Sequence, residues 1–352
     1  MPKKRILVAP LNWGLGHATR CIPVIYALLE ENFEPVLASD GAALELLRKE
    51  FPYLEWHQLP AYNIRYSKNP AFFGLKLLQQ TPHILQCIKE EKEITHQLVK
   101  SQNLAGIISD NRWGVRSGNV PSAFITHQIK VFSGITTSLS TYMQQRYIKK
   151  FDKCWVPDNA KKPNLSGSMG HAKEVSFPVK YLGVLSRFEK EVLDQLYDIT
   201  VLLSGPEPQR GMLEAIMEKE LKKLDLRVLI IRGVVEERST REVRGNITRV
   251  NFLTTKELQK ALNSSALVIS RSGYTSLMDL AKLEKKVFFI PTPGQPEQLY
   301  LAKRMKSEGV ADFCKQKDFD IKKLDGMQYF KNLGSFKFTR GLGGIFTLFQ
   351  GE

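Results

Sequence analysis

An apolar run, Ala266 to Ile269, leads into Ser270-Arg271-Ser272-Gly273-Tyr274-Thr275, and Leu277, Leu280, Ala281 and Leu283 follow at helical spacing. A strand thus runs into a Ser/Gly turn and then into a helix. The helix start presents free N–H groups and the positive end of a dipole, which together bind phosphate. Gly273 lets the backbone approach a ligand closely. Asp279, about two turns into the helix, can accept from ribose hydroxyls. A nucleotide-sugar diphosphate carries both groups. The alternative is an ordinary strand–turn–helix with Asp279 solvated on the surface.

Other segments carry matching chemistry. Ser204-Gly205 and Arg210-Gly211 bracket a turn before a helix, a second phosphate contact. Pro291-Thr292-Pro293-Gly294-Gln295-Pro296-Glu297-Gln298 offers a carboxylate and two amides, the groups that hold sugar hydroxyls by paired hydrogen bonds. Near the N-terminus stands Asn12-Trp13-Gly14-Leu15-Gly16-His17-Ala18-Thr19-Arg20. A dinucleotide fingerprint needs glycine where Thr19 stands, and no G-K-[ST] follows for a phosphate-binding P-loop. The loop instead sets His17 at a helix start, where a lowered pKa keeps the imidazole neutral, as a general base must be. A histidine that merely caps the helix is the alternative. His127, in Thr126-His127-Gln128, and Asp110-Asn111-Arg112 each follow a strand. In a parallel sheet they line one cleft with His17. The only D-x-D spacing, Asp318-Phe319-Asp320, lies late in a Lys-rich stretch and reads as surface.

Strand-like and helix-like runs alternate nearly throughout, the pattern of a parallel α/β sheet. Strands are expected at Ile6–Ala9, Glu34–Ala38, Ala105–Ser109 and Ser122–Thr126, with helices from about Arg20 to Glu31 and from Gly41 to Glu50. The pattern restarts with strands at Ile199–Leu203, Arg227–Ile231, Thr248–Asn251, Ala266–Ile269 and Val287–Ile290. The expected architecture is two tandem Rossmann-like, doubly wound parallel-sheet domains facing a cleft. The first spans residues 1–180 and binds the acceptor. The second spans 181–352 and binds the donor, with the tail 335–352 packing back on the first. Ligands are expected at the carboxyl ends of both sheets. From Ala61 to Leu78 aromatic and aliphatic residues interleave with Arg65, Lys68 and Lys76. That mixture suits a membrane interface or acceptor-lipid groove as well as an ordinary helix stripe.

With 352 residues, two cores are the default, and no apolar run approaches the ~20 residues that span a bilayer. The Lys/Arg-led N-terminus breaks at Pro10, too early for a signal peptide, so a cytoplasmic protein is expected. The four cysteines form no C-x-x-C pair, which excludes a metal knuckle and a disulfide framework. A formal charge of +15 invites an anionic partner. The basic residues are scattered pairs with no nucleic-acid motif, so the anionic inner face of a membrane or a phosphorylated substrate fits better than nucleic acid.

Together these segments resemble the GT-B glycosyltransferases, and among them glycosyltransferase family 28, which contains the MurG-type peptidoglycan GlcNAc transferases and the plant galactolipid synthases. The resemblance is strongest from about Thr248 to Arg304. The family pattern is Arg-[Ser/Ala]-Gly followed by an acid eight residues after the Arg. Here these are Arg271-Ser272-Gly273 and Asp279, where the MurG type has Glu. Gln298 matches the donor-sugar glutamine, in a loop about one residue shorter around Gln295 and Glu297. By the same resemblance, backbone at Phe252 and Leu253 reads uracil, Gly14 and Gly16 lie on the acceptor side, and His127 joins His17 in catalysis; from their place after a strand, Asp110 is a further catalytic candidate and Asn111 a further acceptor-side one. Thr126-His127-Gln128 is similar to the family's His-Glu-Gln-Asn segment. The implied reaction is metal-independent, inverting transfer of a hexose or N-acetylhexosamine from a UDP-sugar to a hydroxyl acceptor, lipid-linked or otherwise. Two alternatives stand beside it: a UDP-sugar epimerase using Glu207 and Glu297, and a non-catalytic nucleotide-sugar-binding partner protein.

Overall fold

The structure, a computed structural model, describes residues 2–63, 73–205, 207–234, 236, 238–336, 342 and 344–351, with backbone alone at 73–79 and 135. The membrane-suited run singled out above lies, from 64 to 72, outside the described residues, as does Pro206. The chain divides into two compact units, Met1–Ser186 with Phe338–Glu352, and Arg187–Lys337.

The first unit is built on a seven-stranded sheet. Its strands are β1 (Arg5–Pro10), β2 (Glu34–Ser39), β3 (Trp56–Gln58), β4 (Leu104–Asp110), β5 (Ser122–Ile125), β6 (Lys153–Val156) and β7 (Val179–Tyr181). The order is β3-β2-β1-β4-β5-β6-β7, and every pairing is parallel. Ile6, Leu7, Val8 and Ala9 are fully buried, because a parallel sheet is covered on both faces and its central strand reads as a continuous apolar run. Helix α1 (Gly16–Glu30) lays Ala18, Ile22, Ile25 and Leu28 on the sheet. It begins four residues before the expected Arg20, so Arg20 sits inside the helix. The loop motif hid this start: Gly14, not Gly16, takes the left-handed turn (φ 72°), and Thr19 N–H already closes on Leu15 C=O at 2.9 Å.

Helices α2 (Gly41–Glu50), α3 (Phe73–Ser101) and α4 (Thr137–Ile148) complete this unit. Its C-terminal turn packs Phe346 and Phe349 edge-on against Trp155. A Cβ at Gly106 would stand 2.2 Å from the Phe349 ring, so β4 must carry glycine there. Lys4 Nζ donates to the carbonyls of Phe349 (3.0 Å) and Gln350 (2.8 Å).

The second unit repeats the plan. Strands β8 (Tyr197–Leu202), β9 (Val228–Ile231), β10 (Arg241–Arg244), β11 (Ile247–Val250), β12 (Ser265–Ser270), β13 (Lys286–Phe289) and β14 (Ala311–Phe313) run in the order β10-β11-β9-β8-β12-β13-β14. All pair parallel except the β10–β11 hairpin. Its helices are α5 (Gln209–Leu221), α6 (Thr255–Asn263), α7 (Tyr274–Lys282) and α8 (Pro296–Ser307). Thr254 and Glu257 form a reciprocal capping box at the start of α6. In both units the strand order reverses at one place, between β1 and β4 and between β8 and β12. Loops leaving such a pair diverge, and the crevice between them is where doubly wound sheets bind ligands. Among the described residues no helix is long and apolar enough to cross a membrane.

Candidate active site

In the first unit the crevice is lined by the loops after β1 and β4, tied together where Leu11 N–H meets Asp110 C=O at 2.9 Å. Asp110 ends β4 and is wholly buried. Arg20, one turn after His17 on α1, grips both its carboxylate oxygens, through Nε to Oδ2 at 2.5 Å and through Nη2 to Oδ1. Burial alone would raise the Asp110 carboxyl. The Arg20 guanidinium, and then His17, overturn that and hold it well below the usual carboxylate range. His17 Nδ1 lies 2.8 Å from Asp110 Oδ1 and 2.8 Å from Arg20 Nη2. His127 completes the cluster, its Nδ1 3.0 Å from Arg20 Nη1.

The two contacts at His17 Nδ1 make opposite demands. Arg20 can only donate, and the Asp110 carboxylate can only accept. Nδ1–H toward the carboxylate leaves Nε2 with a bare lone pair, the form of a general base. Burial, then the charge of Arg20, lowers the pKa of His17 below 6.5, and Asp110 opposes them. The lowering has a different leading cause from the helix start expected from the sequence: desolvation and a neighbouring cation lead. Nor does His17 cap α1, whose N-cap residue is Leu15.

Asn111, expected from the sequence to bind the acceptor, takes a left-handed backbone (φ 57°), which turns the chain directly after Asp110. Its Nδ2 lies 3.3 Å from Asp110 Oδ1 and 3.5 Å from His17 Nδ1, and its Oδ1 accepts from Gln144 Nε2 at 3.4 Å. Gly14 has no atom within 4 Å of where a Cβ would stand, so the loop surface before α1 is open, and Gly16 starts the helix.

Sequence reasoning missed two residues that build this site. Arg20 was quoted only as the end of a loop. Arg112 received no role, yet it is fully buried and gathers three loops. It donates to Pro10 C=O (2.9 Å), Pro60 C=O (3.2 Å) and Glu91 (2.7 Å), and pairs with Asp40. Tyr62 Oη donates to the same Glu91 at 2.7 Å. A buried arginine among carboxylates at strand ends is the physical signal. One sequence cannot reveal it, because the partners Asp40, Glu91 and Asp110 are far apart in the chain.

In the second unit the loops after β8, β12 and β13 come together. Gly205 (φ 94°) lies beside Thr292, whose Oγ1 would be 3.9 Å from a Cβ there. Ser272 Oγ donates to Gln298 C=O at 2.8 Å, and Gln298 Oε1 accepts Thr292 N–H at 2.8 Å. Gln298 Nε2 donates to Gln295. Ser204, Gly205, Ser272, Gln295 and Gln298 are thus one constellation, with Glu297 in the first turn of α8. Gly273 precedes α7 with an ordinary φ of −70°, and a Cβ there would meet nothing within 4 Å. Neither backbone strain nor packing requires glycine, so what it leaves is open space before the helix. The N-cap of α7 is Gly273 itself, the first turn holds Tyr274 and Thr275, and Asp279 lies half-buried farther along.

Arg271, which the resemblance places in the donor-side Arg-Ser-Gly pattern, has its side chain buried within the fold. It donates to the carbonyls of Ile290 (3.0 Å), Pro291 (3.3 Å) and Gln209 (2.9 Å) and to Gln316 Oε1 (2.6 Å). Burial lowers its pKa to about 10. It fastens the ends of β12 and β13 to the start of α5, and so positions the loops without facing a ligand. Arg210, in the first turn of α5, pairs with Glu207 and with Glu214 (3.4 Å) and donates to Arg232 C=O (3.1 Å).

After β11, Asn251 is buried with its amide fully used. Oδ1 accepts Thr240 N–H (2.7 Å) and Phe252 N–H (2.9 Å), while Nδ2 donates to Glu236 (2.8 Å) and Arg238 C=O (2.8 Å). This staple fixes the Phe252-Leu253 segment. Among the described residues, the N–H and C=O of Leu253 have no hydrogen-bond partner. Asp318-Phe319-Asp320 is accounted for by folding: Asp320 caps a 3-10 turn by accepting Lys322 N–H at 2.9 Å, and Phe319 enters the core.

Two Rossmann-like units, each with its crevice at a strand-order reversal, are the architecture of the GT-B fold, and the proteins this chain matches are glycosyltransferases. Residues 209–327 match the glycosyltransferase family 28 C-terminal domain. It is 23% identical to an uncharacterised glycosyltransferase of Methanopyrus kandleri, over 84% of this chain and 86% of that one. It is also 23% identical to the UDP-N-acetylglucosamine–N-acetylmuramyl-(pentapeptide) pyrophosphoryl-undecaprenol N-acetylglucosamine transferase of Clostridium tetani, over 99% and 98% of the two chains. Its fold is similar to that of Acinetobacter baumannii MurG, with a TM-score of 0.53 at 15% identity over 94% of this chain and 92% of that one.

Proposed function

We propose that the protein transfers a hexose or N-acetylhexosamine, with inversion and without a metal, from a UDP-sugar to the hydroxyl of a lipid-linked acceptor at the anionic inner face of a membrane. The observation that carries the reading is the His17–Asp110 pair, with Nδ1 to Oδ1 at 2.8 Å. In this reading the carboxylate holds His17 in the Nδ1–H form. Nε2 takes the proton of the acceptor hydroxyl as its oxygen bonds to the anomeric carbon. The bond from that carbon to the diphosphate breaks on the opposite face, and UDP leaves with the electron pair.

The donor belongs to the second unit. The open space at Gly273 and the start of α7 suit the diphosphate, whose growing charge in the transition state meets the positive end of the helix in place of a metal. Asp279 suits the ribose, Leu253 main chain the uracil, and Gln295, Glu297 and Gln298 the sugar hydroxyls. The Clostridium relative's name specifies UDP-N-acetylglucosamine, which is the first donor to try.

A membrane face is supported by the end of α4. There Lys150 has its pKa lowered by burial and by the cations Arg116, Arg146 and Lys92. Leu139 and Tyr142 stand exposed on the same helix. A cluster of cations is attracted to anionic lipid, and exposed apolar residues on the same helix can enter it.

The test is turnover of a UDP-sugar panel with lipid-linked acceptors, following UDP release and the anomeric configuration of the product. UDP formation that requires acceptor, with inverted product, supports the reading. Conversion of the UDP-sugar without acceptor replaces it with epimerisation, and UDP binding without any turnover replaces it with a binding protein.

A further inference from the structure

We infer that His127 serves the reaction as a hydrogen-bond donor through Nε2–H, and that Arg20 is the positioning residue that sets it in that form. The inference deepens the glycosyl-transfer reading above and rests on it for the identity of the reaction. A guanidinium carries only donors and stays charged in proteins. Arg20 Nη1 stands 3.0 Å from His127 Nδ1, so that nitrogen presents its lone pair. The proton of the neutral ring is then on Nε2. The usual freedom in assigning a histidine tautomer is removed here, because the facing group cannot accept.

The same guanidinium explains why the two histidines differ. Arg20 directs Nη1 at His127, and Nε and Nη2 at the Asp110 carboxylate; Nη2 also lies 2.8 Å from His17 Nδ1, but its hydrogen bond goes to Asp110 Oδ1, whereas His127 Nδ1 faces the guanidinium itself. Asp110 Oδ1, 2.8 Å from His17 Nδ1, is an acceptor for that ring's proton. Around one buried ion pair, the carboxylate takes N–H from one imidazole and the guanidinium gives N–H to the other. Their Nε2 atoms are left with opposite character: a lone pair on His17 and a proton on His127. A base whose only basic nitrogen faces an arginine cannot abstract a proton from substrate, so His127 holds an oxygen lone pair of the acceptor while His17 works on its hydroxyl. The Gln128 amide nitrogen lies 3.5 Å from His127 Nε2. Turning the amide by 180° exchanges its nitrogen and oxygen, and the oxygen then accepts Nε2–H until an acceptor oxygen takes its place.

The experiment begins with the full-length protein, labelled with 15N-histidine, at pH 7.5. Long-range proton–nitrogen spectra read each tautomer, and the His127 signals are assigned by their loss in His127→Gln. The expected pattern for His127 is Nε2–H with a bare Nδ1; an Nδ1–H pattern overturns the inference. Arg20→Met, where it folds, should release His127 into a tautomer mixture, and an unchanged pattern removes Arg20 from the role. Where it does not fold, the parent spectrum decides. In turnover, His127→Phe should lose about 100-fold in kcat/KM for the acceptor, the cost of one preorganised donor. His127→Gln, which keeps an N–H, should recover at least about ten-fold of that loss; equal loss in both overturns the donor role. His17→Gln should show no such recovery over His17→Ala. If no UDP-sugar is turned over at all, the glycosyl-transfer reading fails, while the tautomer spectrum still decides this inference.

Discussion

Arg20 and Asp110 form a bidentate ion pair that is buried on both sides, with Nε to Oδ2 at 2.5 Å. Because it is hydrogen-bonded at both oxygens, the carboxylate stays ionised in a site that would otherwise neutralise it. His17 therefore works beside a fixed negative charge rather than a protonated acid. Asp110→Asn keeps the shape and removes the charge. Turnover per folded molecule should fall by about 10²–10⁴. The variant should also lose about 3–5 kcal/mol of stability, since Arg20 is left buried without a counter-charge. Folded fraction by circular dichroism, alongside kcat, checks both.

The pH dependence has a defined sign. Burial and Arg20 lower the His17 pKa beneath 6.5, and the proposed reaction uses the neutral ring as its base. The acid limb of kcat/KM should therefore lie below pH 6.5, with full activity at pH 7. Asp110→Asn removes the influence that raises this pKa, so its residual activity should show a limb shifted further down. For stability, the unfolded chain binds more protons than the folded one between the two pKa values. The contribution of His17 is thus complete above pH 6.5 and is lost as pH falls through the folded value. A limb at or above 6.5 contradicts this picture.

Gly273 separates ligand space from folding. Its φ of −70° suits alanine, and a methyl group there would touch nothing in the chain. Gly273→Ala should leave the melting temperature unchanged and weaken UDP binding. Asp279→Ala should weaken UDP by about 1–3 kcal/mol, the scale of a charge-assisted hydrogen bond. Calorimetric titration with UDP measures both, and parental affinity in either variant removes that residue from the donor site.

Arg271 should behave as a structural residue. Arg271→Ala strands three carbonyls and the Gln316 side chain, each without its donor. Loss of such partners costs about 1–3 kcal/mol apiece when the acceptors stay buried. The melting temperature should drop, and salt should not weaken UDP binding through this residue. A variant as stable as the parent with much weaker UDP binding would return Arg271 to the ligand.

Much of this was legible in the sequence where chemistry is local. The central strands are continuous apolar runs, and β1, β8 and β12 stand within about two residues of their expected places. Gly273, Ser272 and the Pro291–Gln298 loop announced themselves by composition. The edge strands β3, β7 and β14, three residues each, carry too little periodicity to register. The partners of Arg271 were not legible because its acceptors, carbonyls and the Gln316 side chain, come from distant loops. Arg20 was passed over because its partner Asp110 is 90 residues away, and only the β1–β4 pairing brings them together.

The central claim is that His17 is the base for transfer to the acceptor hydroxyl. It is tested most directly by the kcat of His17→Ala, measured at saturating UDP-sugar with UDP affinity determined on the same preparation. The account predicts a fall in kcat of about 10²–10⁴ with UDP affinity unchanged. A variant that turns over at the parental rate while correctly folded would contradict it.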